Sequence, residues 1–117
     1  MSTRCQIHVK GSPILIYKHC DGYPEGVLPV LKPFAKEFAK KKKKKKRGED
    51  PDYCLAQIIR AFAIEDYINS PEFTPKKGYF TGWGVDTCIH ADIEFLYVVD
   101  SKKGTVTTQT ENFHLLT

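Results

Sequence analysis

Two short apolar segments separated by a glycine turn constrain the fold of this chain more than any other feature. Residues 4–10 alternate between apolar and polar side chains, and a second apolar segment, residues 14–20, follows Gly11-Ser12. A two-residue turn at Gly11-Ser12 would place Ile7 opposite Ile16. Because this register gathers the apolar side chains on one face, the sequence predicts an antiparallel β-hairpin.

Two helices are predicted after this hairpin. The first runs from about Val27 to the lysine run, because apolar residues recur there at spacings of three and four. The second has Asp50 as its N-cap and Pro51 as its first helical residue, and it ends near Asn69. We expect its buried face to contain Leu55, Ile58, Ile59 and Phe62, widened by Ala61, Ile64 and Ile68.

Three strands are predicted in the C-terminal third. Residues 79–84 form a short strand or a glycine-rich loop, the longest strand covers residues 88–99, and a β-branched strand covers residues 105–110. The element order is therefore β-β-α-α-β-β-β. Because strands are grouped rather than alternating with helices, we expect an α+β fold, a two-layer antiparallel sheet with two helices packed on one face. At 117 residues, the chain is expected to form a single domain over residues 1–117.

The charge of the chain is concentrated in one tract. The net charge is +4, but Lys40–Arg47 alone supplies eight basic residues. The remaining ten basic and fourteen acidic residues leave a net charge of −4, unlike a generally basic nucleic-acid binder. We expect a flexible Lys-rich segment at about residues 40–49. It could contact nucleic-acid phosphates, or it could be the solvated C-terminal end of a helix.

Composition also bears on location and cysteine chemistry. No run of about 18 apolar residues is present, so no membrane span is predicted. The N-terminal residues lack the apolar stretch of a secretory signal, and we expect a cytoplasmic protein.

No Cys-x-x-Cys pair occurs, which argues against a structural zinc site. The four cysteines are expected to be reduced and mostly buried.

A polar cluster is predicted on the sheet face opposite the helices. Imidazole beside carboxylate suits a divalent metal or acid–base chemistry, and an arginine could bind a phosphate. The same polarity is also usual on the outer face of an antiparallel sheet that has no function. The hairpin contributes Arg4, His19 and Asp21, and the long strand contributes His90, Asp92 and Glu94.

Several functions are compatible with this cluster. The sequence contains no serine nucleophile elbow and no Gly-rich phosphate loop, so we expect a binding module for a small anionic molecule or nucleotide. The alternatives are a metal-dependent hydrolase or nuclease, and nucleic-acid binding through Lys40–Arg47. A homodimer could form through the open sheet face. If a divalent metal is the cofactor, its expected ligands are His19, Asp21, His90 and Asp92.

Two motifs suggest a relationship. The first is His19-x-Asp21-Gly22-Tyr23-Pro24, preceded by a Thr3-Arg4 strand, and the second is Asp92-x-Glu94-aromatic-x-Tyr97. Over residues 1 to about 100, the chain resembles a family of small hypothetical proteins of bacteria, archaea and phages. The resemblance implies no activity, but it draws attention to the same polar residues and adds Tyr23 to them. Where relatives often have an aromatic residue between His and Asp, this chain has Cys20.

Overall fold

A computed structural model describes residues 3–42, 50–69 and 82–110. The elements are β1 (Cys5–Val9), β2 (Leu15–Lys18), α1 (Pro24–Lys42), α2 (Pro51–Asn69), β3 (Trp83–Asp86), β4 (Phe95–Asp100) and β5 (Thr105–Gln109). This order of strands and helices agrees with the predicted one. Most of the Lys-rich segment and residues 79–81 of the predicted third strand lie outside the described residues. Nucleic-acid binding through that segment therefore stays a prediction.

The five strands form one sheet in the order β3-β2-β1-β4-β5. The predicted hairpin register is confirmed, since Ile7 pairs with Ile16 across β1 and β2. β1 and β4 run parallel, with Ile7 beside Tyr97, whereas the other neighbours are antiparallel. The α+β class is confirmed, but the expected all-antiparallel sheet is wrong at its central pair, and the sheet is mixed.

The parallel pair arises from the connection between β3 and β4. β3 lies at one edge of the sheet, and β4 lies on the far side of β1. Residues 87–94, here called the crossover segment, connect them across the face opposite the helices. Parallel strands require such a crossover. The strand predicted over residues 88–99 is therefore wrong over 88–94, and only Phe95–Asp100 is a strand.

Both faces of the sheet bury apolar side chains. The main core lies between the sheet and the two helices, where Ile7, Val99 and Leu31 are fully buried. A second cluster lies beneath the crossover segment. It contains Leu15, Ile93, Leu96 and Val98, with Tyr17 and Ile89 packed against it. The face that was expected to be open, and to offer a flat surface to a second copy, is thus partly covered by the chain itself.

Helix α2 buries a narrower stripe than its sequence suggested. Leu55, Ile58 and Phe62 are buried as predicted. Ile59, predicted in the main face, and Ile64 and Ile68, predicted to widen it, are 38%, 43% and 64% exposed, so these three predictions are wrong, while Ala61 is half-buried. An α-helix turns about 100° per residue, so positions beside the buried stripe face away from the sheet. Within the described residues, no helix has the length and apolar character needed to cross a membrane.

The start of α2 gives a simple stability prediction. Asp50 Oδ1 accepts hydrogen bonds from the backbone N–H groups of Asp52 at 2.9 Å and Tyr53 at 3.3 Å, which confirms the predicted N-cap. We expect Asp50→Ala to lower the free energy of unfolding by about 1 kcal/mol, because these two N–H groups lose their acceptor. Asp50→Asn is the control, since asparagine caps equally well. Urea denaturation of both variants measures the difference, and equal stability would contradict the prediction.

Candidate functional site: a polar patch beside the crossover segment

The buried side chain of Gln6 fixes the crossover segment to the sheet. Gln6 lies on β1 and is fully buried. Its Nε2 donates to the carbonyl oxygen of Cys88 at 3.0 Å, and its Oε1 accepts from the backbone N–H of His90 at 2.8 Å. One side-chain amide therefore holds the backbone on both sides of Ile89. Because β1 is the central strand, the positions of Cys88 and His90 are set by the middle of the sheet.

The imidazole of His90 lies between two carboxylates. Its Nε2 hydrogen bonds to Asp86, and its Nδ1 lies 3.8 Å from Asp92 Oδ1. The ring of Tyr17 stacks on it with centroids 4.6 Å apart. The hydrogen bond from His90, helped by the backbone N–H of Thr87, holds the pKa of Asp86 below its usual value. The orientation of the His90 ring is thus fixed from three sides.

Asp92 connects this imidazole to Arg4. Its Oδ2 lies 3.6 Å from Arg4 Nε and accepts a hydrogen bond from the Tyr17 hydroxyl at 3.4 Å. Arg4 Nε in turn donates to His19 Nδ1 at 3.3 Å. Burial, and then the Asp92 carboxylate, raise the pKa of Tyr17. We call the connected group the polar patch; it consists of Arg4, Tyr17, His19, Asp86, Cys88, His90 and Asp92.

Backbone hydrogen bonds bring the ends of distant segments to this patch. The N–H of Glu94, at the end of the crossover segment, donates to the carbonyl of Arg4 at 2.8 Å. The N–H of His19, just after β2, donates to the carbonyl of Gly82 at 2.7 Å. Arg4 precedes β1, His19 follows β2 and Asp92 precedes β4, and the three meet because these strands are neighbours in the sheet.

The structure brings together four of the residues singled out in the sequence: Arg4, His19, His90 and Asp92. The other three do not join them. Asp21 is exposed in the turn after β2 with a φ of 56°, and Tyr23 is 40% exposed at the start of α1. Glu94 is also exposed. Among described residues, the side chains of Asp21 and Glu94 make no hydrogen bond or ion pair, and Asp21 belongs to no cluster of metal-ligand atoms.

Sequence reasoning missed Asp86 and Cys88. Cys88 Sγ lies 3.6 Å from Asp86 Oδ1, and the negative charge of that carboxylate raises the pKa of the Cys88 thiol. One ligand atom from each of Asp86, Cys88 and His90 falls within 4.8 Å of the others. The signal was present in the sequence, because Asp86, Cys88, His90 and Asp92 occupy alternate positions and all have metal-binding side chains.

A cavity of about 390 Å³ lies at the start of the crossover segment, beside the hairpin turn. His8, Ser12, Leu15, Thr87 and Ile89 are among its lining residues. The Nδ1 atom of His8 is buried and has no hydrogen-bond partner in the described part of the chain. Burial, and then the charge of Lys10, lower the pKa of His8. We expect this imidazole to be neutral at physiological pH.

Comparison with protein-family models, with curated proteins and with solved structures finds no match. The resemblance to small prokaryotic and phage proteins therefore stays a prediction, and the function has to be argued from the polar patch alone.

Proposed function

We propose that this protein is a small binding module that recognises an anionic group, such as a phosphate of a nucleotide, at the Arg4 end of the polar patch. The observation that supports this most directly is the state of the Arg4 guanidinium. Its Nε atom donates a hydrogen bond to His19 and pairs with Asp92, and the side chain is 37% exposed. The two Nη amino groups make no hydrogen bond within the described residues, so their N–H groups can donate to a ligand.

Asp92 and His19 prepare Arg4 for this role. They hold the Nε side of the guanidinium, so less conformational entropy is lost when a ligand binds. The remaining Nη groups form the planar fork that pairs with two oxygens of a phosphate or carboxylate. Asp92 carries a negative charge that opposes an anion, but that carboxylate is engaged on the Nε side of Arg4 and also accepts a hydrogen bond from the Tyr17 hydroxyl.

The patch favours binding over covalent catalysis. Cys88 is its only thiol among the described residues, and a thiol attacks as the thiolate. The adjacent Asp86 raises the pKa of Cys88, which opposes thiolate formation at neutral pH.

Thermal denaturation with millimolar inorganic phosphate or adenosine monophosphate tests the proposal. A ligand that binds only the folded state, present at 100 times its Kd, stabilises that state by about 2.7 kcal/mol, so the Tm of the wild type should rise. Arg4→Ala should abolish the rise, and Arg4→Lys should weaken it because lysine lacks the planar fork. Arg60→Ala is the matched control, since it removes the same charge from the exposed surface of α2.

Two results would contradict the proposal. The first is a wild-type Tm that does not respond to either ligand, or that responds equally after Arg4→Ala. The second is a response that survives Arg4→Ala but disappears after His8→Ala, because the anion would then occupy the cavity beside the hairpin turn.

A further inference from the structure

Asp86, Cys88 and His90 place an oxygen, a sulfur and a nitrogen atom around one point where the crossover segment begins. We infer that these three residues bind a zinc-like transition-metal ion. Their ligand atoms lie within 4.8 Å of one another, and the Sγ of Cys88 is 3.6 Å from Asp86 Oδ1. This site is separate in function from the anion site, because Arg4 supplies no ligand to it.

The separation of Cys88 Sγ and Asp86 Oδ1 agrees with tetrahedral coordination, whereas Asp86 and His90 lie closer together and would have to move apart to admit an ion. Metal–sulfur distances of about 2.3 Å and metal–nitrogen or metal–oxygen distances of about 2.0–2.2 Å place neighbouring ligand atoms about 3.3–3.6 Å apart. Cys88 and Asp86 already have this separation. Asp86 and His90 share a hydrogen bond, and the ion would take the place of the hydrogen between them. Three protein ligands leave a fourth position for water.

The ligand types select the class of ion. Thiolate and imidazole are ligands of zinc and similar transition metals, whereas magnesium and calcium prefer sites made of oxygen atoms. A set with one sulfur, one nitrogen and one carboxylate oxygen therefore favours Zn²⁺ or Co²⁺ over Mg²⁺ or Ca²⁺.

The surroundings of His90 provide independent support. In metal sites, the ring nitrogen of a histidine that does not bind the metal usually faces a carboxylate, which fixes the ring. Asp92 Oδ1 lies 3.8 Å from His90 Nδ1, on the side of the ring away from Asp86. Gln6 holds the backbone of both Cys88 and His90. The two ligands are therefore positioned before a metal arrives, which reduces the cost of binding.

Titration of the reduced, metal-free, full-length chain with Co²⁺ tests the inference. We expect one Co²⁺ per chain, a thiolate-to-cobalt charge-transfer band in the near ultraviolet, and loss of the band when Zn²⁺ is added. Cys88→Ser should abolish the band and weaken binding at least about tenfold. Cys20→Ser is the matched control, because Cys20 lies outside the cluster. Asp92→Asn should retain the band while weakening binding about 10–100-fold.

Several outcomes would overturn the inference. They are the lack of a band in the wild type, a band that persists in Cys88→Ser, and a band that is lost in Cys20→Ser. Cys88 is exposed, so its substitution should leave the fold intact, and far-ultraviolet circular dichroism checks this. Arg4→Ala should retain the cobalt band, which separates failure of the metal site from failure of the proposed anion site.

Discussion

Replacement of Gln6 by leucine is expected to lower the free energy of unfolding by about 3 kcal/mol, because two partly buried backbone groups lose their partners at once. Leucine fills a similar volume but cannot hydrogen bond. The carbonyl of Cys88 and the N–H of His90 would then face an apolar side chain beneath the crossover segment. Each unsatisfied group costs about 1–3 kcal/mol. If the crossover segment moves away instead, Leu15 and Leu96 become exposed to solvent.

Urea denaturation measures this effect, with Gln57→Leu as the matched control. Gln57 lies on α2 and its half-buried side chain makes no hydrogen bond within the described residues, so the same chemical change there should alter stability by no more than about 0.5 kcal/mol. We also expect Gln6→Leu to weaken Co²⁺ binding, because Cys88 and His90 would no longer be held. Equal stability of the two variants would show that Gln6 does not fix the crossover segment.

The elements that the sequence predicted are those specified by neighbouring residues. The hairpin register follows from the alternation of residues 4–10 and from Gly11, whose φ of 94° suits glycine in a tight turn. The start of α2 follows from Asp50 and Pro51, since capping needs only residues within one turn. These signals act over short distances, so tertiary packing did not override them.

The crossover segment could not be recognised because its pattern imitates a strand. Ile89 and Ile93 pack against the apolar cluster beneath the segment, whereas Asp92 is exposed. The segment has bends at residues 87, 88 and 94 and a turn at residues 91–92, and it belongs to no strand, yet its residues in contact with the sheet alternate as those of a strand would. Hydrophobic periodicity alone therefore did not distinguish these two structures.

The sequence predicted those contacts of the candidate site that follow from which strands are neighbours in the sheet. Arg4 lies near His19 because of the hairpin register, and Asp92 approaches Arg4 because β4 lies beside β1. The contact of Asp86 with His90 depends on the path of the crossover segment from the edge strand, which no local signal specifies. The sequence alone therefore did not reveal that Asp86 and Cys88 belong to the site.

Gly22 is a position where one added methyl group should lower the free energy of unfolding by about as much as Gln6→Leu does. A Cβ atom there would lie 2.8 Å from Cys5 Cβ and 2.9 Å from the carbonyl oxygen of Thr3. Neither neighbour can move easily, because Cys5 is fully buried in β1 and the carbonyl of Thr3 accepts from the Gly22 N–H at 2.9 Å. The Tyr97 hydroxyl also donates to the Gly22 carbonyl at 2.6 Å. We expect Gly22→Ala to lower the free energy of unfolding by about 3 kcal/mol. The turn must move to relieve the steric overlap, and these hydrogen bonds then break.

Gly84→Ala is the matched control, because no atom lies within 4 Å of the Cβ that it would add on β3. Alanine there should be neutral or stabilising by up to about 1 kcal/mol, since it restricts the unfolded chain. Urea denaturation compares the two variants, and equal stability would show that the turn at Gly22 can relax. If the overlap displaces this turn, His19 moves away from Arg4, and phosphate should then stabilise Gly22→Ala less than Gly84→Ala. An unchanged phosphate response in a destabilised Gly22→Ala would mean that anion binding does not need His19 beside Arg4.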